Sequence, residues 1–222
     1  MTRRTARALL AAALLGPALL APALFIPAFF VPAFFIPSFA IAGAQRPETL
    51  SVSVRTSMHA AVSDRAVPFL NFRRSDDGQK WLYEMSTRLR QRIPDRKQRT
   101  EFLITVQHEA TRAGLDPQLV LGLIEVESGF RKYAVSWAGA RGYMQVMPFW
   151  VKLIGEPTHN LFNLRTNLRY GCVILRYYLD LENGDYYRAL GRYNGSLGQP
   201  EYPSAVHVHW QRGRWTYQGA TS

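Results

Sequence analysis

Between residues 81 and 93 the apolar side chains Trp81, Leu82, Met85, Leu89 and Ile93 recur at three- and four-residue spacing, the period of one helix face, and Pro94 ends the run. Asp95 is placed to cap a second helix whose stripe is Phe102, Leu103, Val106 and Ala110, with Gly114 as its stop. Asp116-Pro117, a cap followed by a first helical residue, opens a third helix that runs through Glu127. Further helices are predicted over 163–182, over 185–193 and from Pro203 onward. The loop after Ser136 leaves room for a small β contribution, and the fold class expected from the pattern is all-α.

The N-terminal 44 residues are patterned differently. Arg3, Arg4 and Arg7 precede an uncharged apolar run that reaches Ala44, the order of a secretory signal. Pro17, Pro22, Pro27, Pro32 and Pro37 recur every five residues, and each removes a helical hydrogen bond. Two readings stand: a repeat-expanded signal peptide, cut after Ala42-Gly43-Ala44 to leave Gln45 first, or a retained membrane anchor. Either way the segment 1–44 implies export to the periplasm or envelope and lies outside the fold. Residues 45–78, polar and aperiodic, read as an extension or linker with a short strand at 50–54. An N-terminal amphipathic helix (79–95), a main domain (96–212) and a tail (213–222) follow.

Charge narrows the choice of partner. Residues 1–44 hold three Arg and no acid, so the rest of the chain keeps 24 basic against 16 acidic residues, a net of +8. That balance suits an anionic polymer, and export favours the cell wall over nucleic acid. No zinc spacing or nucleic-acid motif is present, and the Arg residues are scattered, so no nucleic-acid partner is expected. Cys172 is the only cysteine, which excludes an internal disulfide; with Leu168, Leu175 and Leu179 at helical spacing it reads as a buried core thiol. His108-Glu109 resembles the start of a metal-binding H-E-x-x-H, but the second ligand position is Arg112, so no metal site is expected and the pair reads as a solvated helix face.

The third helix carries the candidate chemistry. At about 100° per residue, Val120, Leu123, Ile124 and Glu127 share one face, which places a carboxyl among apolar side chains. Desolvation there favours the protonated form, as a general acid at neutral pH requires. The alternative is that Glu127 escapes to solvent at the helix end or pairs with Arg131 or Arg141. Glu125 falls on the opposite face, where a solvated charge is expected.

Three ordered motifs lie on and after this helix: Glu127-Ser128-Gly129-Phe130; Ser136-x-x-Gly139-Ala140-x-Gly142-Tyr143-Met144-Gln145-x-Met147-Pro148; and Tyr193-Asn194-Gly195. In residues, order and spacing they resemble the signatures of the family 1 lytic transglycosylases, the soluble-lytic-transglycosylase catalytic domain, and the stretch from Asn163 to Leu175 is similar to its connecting helix. The resemblance covers about 96–210. Tyr143 stands where the family usually has Leu, and Gly195-Ser196-Leu197-Gly198 replaces the common A-G-x-G.

The resemblance implies a lysozyme-like α-helical fold with a substrate cleft, and peptidoglycan glycan strands as substrate. It makes 96–212 the catalytic domain, needs no cofactor, and implies cleavage between N-acetylmuramic acid and N-acetylglucosamine to give a 1,6-anhydro end. Glu127 is then the single catalytic acid/base. Ser136 and Gln145 hydrogen-bond the sugar, Met147 lines the cleft, Tyr193 sits beside Glu127 and orients it, and Ser128 and Asn194 support the site. Membrane association through the N-terminal segment goes with the anchor reading. The rival readings are a hydrolytic muramidase, for which Asp180, Glu182 or Asp185 would supply a second carboxyl, and a non-catalytic wall-binding module with the same fold.

Overall fold

The computed structural model describes residues 45, 47–63, 72, 74–217 and 219; the expected signal or anchor segment 1–44 lies outside them. The described elements are helices. They are α1 (Val52–Ser63), α2 (Asp76–Leu89), α3 (Arg96–Arg112), α4 (Pro117–Ser128), α5 (Pro148–Ile154), α6 (Leu164–Leu181), α7 (Tyr186–Asn194), α8 (Glu201–His207) and a π-helical turn, Val208–Arg212. The all-α expectation holds. The β contribution after Ser136 is two isolated bridges, Val135 with Arg141 and Arg141 with Val146.

The predicted caps Asp95 and Asp116 act as caps, and so do Asn163 and Asp185, the first residues of two of the later predicted helices. Asp95 accepts from the N–H of Gln98 at 2.7 Å, Asp116 from Gln118 at 2.8 Å, Asn163 from Thr166 at 3.1 Å and Asp185 from Arg188 at 3.0 Å, each satisfying a donor that the first helical turn leaves open. Gly114 follows α3 at φ +66°, the left-handed stop read for it.

Residues 50–54 are the correction. Val52–Ser63 is a helix, because Val54, Met58, Ala61 and Val62 form a helix-period stripe that buries Met58 and Val62 against α5 and α6. The Ser-Val-Ser-Val alternation covers only four residues, and the longer stripe prevails. Helix α1 thus packs on the body, and His59 also reaches the Ile154 carbonyl at 3.1 Å. The tail packs too, with Trp215 fully buried against Phe130 at a ring distance of 5.1 Å.

Helix α4 is the axis of the molecule. Leu119, Val120, Leu121, Leu123 and Ile124 are all fully buried, so it is enclosed on every side rather than amphipathic. It packs on α3, α8 and the π-helical turn. A Cβ on Gly122 would lie 3.2 Å from the Trp210 nitrogen and 3.3 Å from the Val206 oxygen, so this glycine lets the last helices close on α4. Around it, α6 buries Leu168, Cys172, Leu175 and Leu179, as the spacing predicts.

Candidate active site

Glu127 is the penultimate residue of α4. Gly129, at φ +57°, ends the helix and gives its N–H to the Glu125 carbonyl. The chain then folds into the 134–146 loop. Ser128 ties that loop to the helix, its hydroxyl 2.7 Å from the Tyr143 carbonyl and 3.1 Å from that of Ile124.

As a residue Glu127 is half-buried, yet its carboxyl is enclosed by protein. Burial pushes its pKa up from the ordinary 4.5 to about 8, opposed by the Tyr202 hydroxyl, which donates to Oε1 at 2.5 Å. The carboxyl therefore holds its proton at neutral pH. Neither a pairing with Arg131 nor one with Arg141 forms: Arg131 donates to the Ser128 carbonyl at 2.9 Å, and Arg141 lies 6.0 Å from the Phe162 ring.

The phenol on Glu127 is Tyr202, which the sequence reading passed over. Tyr193 was expected there, but its hydroxyl donates to the Met144 carbonyl at 2.7 Å. Helix α8 lies directly on α4, whereas α7 packs mainly on α6 and α8, so α8 delivers the donor. Tyr193 is fully buried and close enough that the Glu127 charge, after burial itself, helps raise its pKa. Burial and Glu127 likewise raise the pKa of Tyr202, so both phenols stay donors.

The other candidates frame the loop. Gln145, buried at a left-handed φ of +48°, donates from Nε2 to Gly142 O at 2.8 Å and to Ala134 O at 3.1 Å. Both amide hydrogens are used inside the loop. The Ser136 hydroxyl accepts from the Ala140 N–H at 3.0 Å and keeps its own proton to donate. Met147 begins α5 and packs partly buried on the core. Asn194 donates to Ser196 Oγ at 3.0 Å, bracing the turn after α7. Asn167 is a further brace: its Oδ1 accepts from Met144 N–H, and its Nδ2 donates to Arg141 O and Leu161 O, each at 2.8 Å. Its signal in the sequence is the same as that of Glu127, a polar residue on an apolar helix face.

Two acids differ from expectation. Glu125 is a buried anchor, its carboxylate accepting from Trp215 Nε1 at 2.6 Å and lying 3.2 Å from His209 Nδ1. Burial pushes its pKa up, but the hydrogen bonds of His209 and Trp215 outweigh it and the net shift is downward. The π-helical turn and Trp215 cover this side of α4. Glu109 is also fully buried, between Arg112, Arg165 and Arg169 at 3.2 to 3.3 Å, so His108-Glu109 belongs to an interior ionic cluster rather than to a wet face. Among the described residues no group of His, Cys, Asp and Glu could hold a metal. Of four surface hollows, of about 530, 920, 580 and 650 Å³, none has Glu127 in its wall.

An all-α body built round one enclosed, proton-holding carboxyl is the class of domain that these features define. Residues 104–202 match the transglycosylase SLT domain. The chain is 52% identical over 48 residues to membrane-bound lytic murein transglycosylase C of Actinobacillus pleuropneumoniae, a match over 22% of this chain and 13% of that protein. With the protein of the same name from Histophilus somni it shares 39% over 83 residues, 33% of this chain and 23% of the other. The transglycosylase of Enterobacteria phage PRD1 is 34% identical over 103 residues, 44% of this chain and 36% of that one. The chain thus spans well under half the length of the curated relatives it matches. The lytic transglycosylase Slt from Pseudomonas aeruginosa, solved as an inactive mutant, overlaps 77% of this chain and 36% of its own at 20% identity, with a TM-score of 0.40.

Proposed function

We propose that this chain is a peptidoglycan lytic transglycosylase with a lysozyme-like catalytic domain. The observation that carries the reading is the Glu127 carboxyl: held protonated by burial, touched by one phenol, and with no second carboxylate among the influences on its proton. Protonated Glu127 donates to the glycosidic oxygen between N-acetylmuramic acid and N-acetylglucosamine as the C1–O bond breaks. The muramyl C6 hydroxyl then bonds to C1, its proton passes to the Glu127 carboxylate, and a 1,6-anhydro end forms with no water consumed. The substrate's own N-acetyl group stabilises the cationic stage, as in substrate-assisted glycosidases, which dispense with the second carboxyl.

The loop residues fit the binding roles. Ser136 has a proton to donate and Gln145 an oxygen to accept, while Ser128 and Tyr193 hold the loop through the Tyr143 and Met144 carbonyls and Asn194 braces the turn after α7. Met147 lines the apolar side. The hydrolytic alternative is disfavoured because its three carboxyls are engaged elsewhere: Asp180 with Arg176, Glu182 with Arg188 and Arg192, and Asp185 as the α7 cap. Placement in the cell envelope is supported by the basic-then-apolar N-terminus and by relatives named membrane-bound. No helix among the described residues is long and apolar enough to cross a membrane.

Digestion of purified sacculi followed by mass spectrometry tests the reaction class. Anhydro-muropeptides, lighter by one water than hydrolysed ends, are the expected product; reducing ends would make the enzyme a muramidase.

A further inference from the structure

Trp137 is fully exposed, at 105% of its reference area, on a turn that is itself firmly held. Gly139 N–H bonds to the Ser136 carbonyl at 3.0 Å, Ser136 N–H to the Ala140 carbonyl at 3.0 Å, and the Ser136 hydroxyl accepts from Ala140. Below the turn, Arg141 and Val146 exchange both backbone bonds at 3.0 Å, and Ser128 fastens the loop to the catalytic helix. An indole, the largest apolar side chain, is thus presented on a braced turn with no protein surface to cover it, although such side chains are normally well buried.

We infer that Trp137 is a stacking platform for a sugar ring of the glycan strand outside the bond that is cut, a subsite contiguous with Ser136. The inference rests on the proposed function. An indole face complements the C–H face of a pyranose ring, and its two side-chain torsions cost little entropy to fix. The charge of the surrounding sequence suits the same ligand. From Ser128 to Gly155 the chain has Arg131, Lys132, Arg141 and Lys152 and not one acid. The muramic residues of the strand carry peptide stems with carboxylates, which these cations can pair. A phospholipid surface would meet the same side chains, but the continuity with Ser136 and with the loop fastened to α4 favours the substrate strand.

The test measures binding of the full chain carrying Glu127→Gln to purified sacculi, with and without Trp137→Ala, so that binding is read independently of cleavage. Trp137→Ala is expected to weaken sacculus binding about five- to tenfold with an unaltered melting curve, and Trp137→Tyr to restore most of it. With Glu127 intact, the same change should appear mainly in KM on sacculi. Equal binding with and without Trp137 overturns the subsite. So does a loss confined to anionic phospholipid vesicles, which would assign the indole to a membrane surface. Absence of anhydro products from the unaltered chain would instead overturn the reaction, leaving the binding result to stand or fall alone.

Discussion

At the scale of single residues the governing contest is between desolvation and one hydrogen bond on Glu127. Burial wins, and for the proposed reaction a pKa of about 8 predicts the position of the alkaline limb of activity. Glu127→Gln is expected to abolish cleavage, read as release of soluble muropeptides. It should also change stability in a definite direction. The folded pKa lies above the unfolded 4.5, so the protonated carboxyl contributes stability below that value that is lost as pH rises toward 8. The amide cannot ionise, so melting curves of the variant should gain on the wild type between those limits, with a slope approaching about 1.4 kcal/mol per pH unit. Tyr202→Phe removes the donor that favours the carboxylate. Turnover should drop on the order of tenfold to a hundredfold, and the alkaline limb of the pH profile should move to higher pH. A limb that stayed in place would mean that Tyr202 does not act on the Glu127 proton.

At the scale of elements, the catalytic helix is held at both ends. Asp116 caps its start through Oδ1 and accepts from Trp210 Nε1 through Oδ2 at 2.6 Å; Glu125 near its end takes the Trp215 indole and His209. Glu125→Gln is therefore expected to destabilise the fold by about 1–3 kcal/mol at neutral pH, measured by denaturant unfolding. Because the folded pKa of Glu125 lies below its unfolded value, this contribution exists above pH 4.5 and fades as pH falls through the folded pKa. The difference between the two proteins should accordingly shrink in acid. Gly171 plays the corresponding part for the loop: a Cβ there would come within 2.4 Å of Met144 Sδ and 2.8 Å of its Cβ. Since Met144 is held by Asn167 through its N–H and by Tyr193 through its carbonyl, Gly171→Ala should cost about 1–3 kcal/mol and lower activity with it.

At the scale of the whole molecule, the chain couples three segments through one buried carboxylate. Glu109 on α3 faces Arg165 and Arg169 on α6, while Arg112 and Arg169 also reach the carbonyls of Ala61 and Val62 at the end of α1, at 2.8 and 3.3 Å. Removing the anion alone would leave several cations in the interior. Glu109→Gln is expected to lower stability by about 3–5 kcal/mol and to loosen α1, seen as faster amide exchange in 52–63, without altering the kind of product expected from sacculi under the proposed function.

Much of this was legible in the residues themselves. Helix boundaries at Asp95, Asp116, Asn163 and Asp185 are local chemistry, a side-chain oxygen meeting an open N–H, and so are readable wherever the cap precedes an apolar stripe. Glu127 could be found because a charged residue in phase with Val120 and Ile124 conflicts with its surroundings, and the three motifs lie on or near the segment that matches the SLT domain. The strand at 50–54 gave way to the longer helix-period stripe of α1, whereas the solvated Glu125, the solvated His108-Glu109 and the Tyr193 donor failed for a common reason: each depended on residues distant in the chain. Periodicity tells which residues share a face, not what covers that face. Only the packed structure closes the π-helical turn and Trp215 over the Glu125 side of α4, sets three arginines round Glu109, and brings Tyr202, 75 positions along, to the acid.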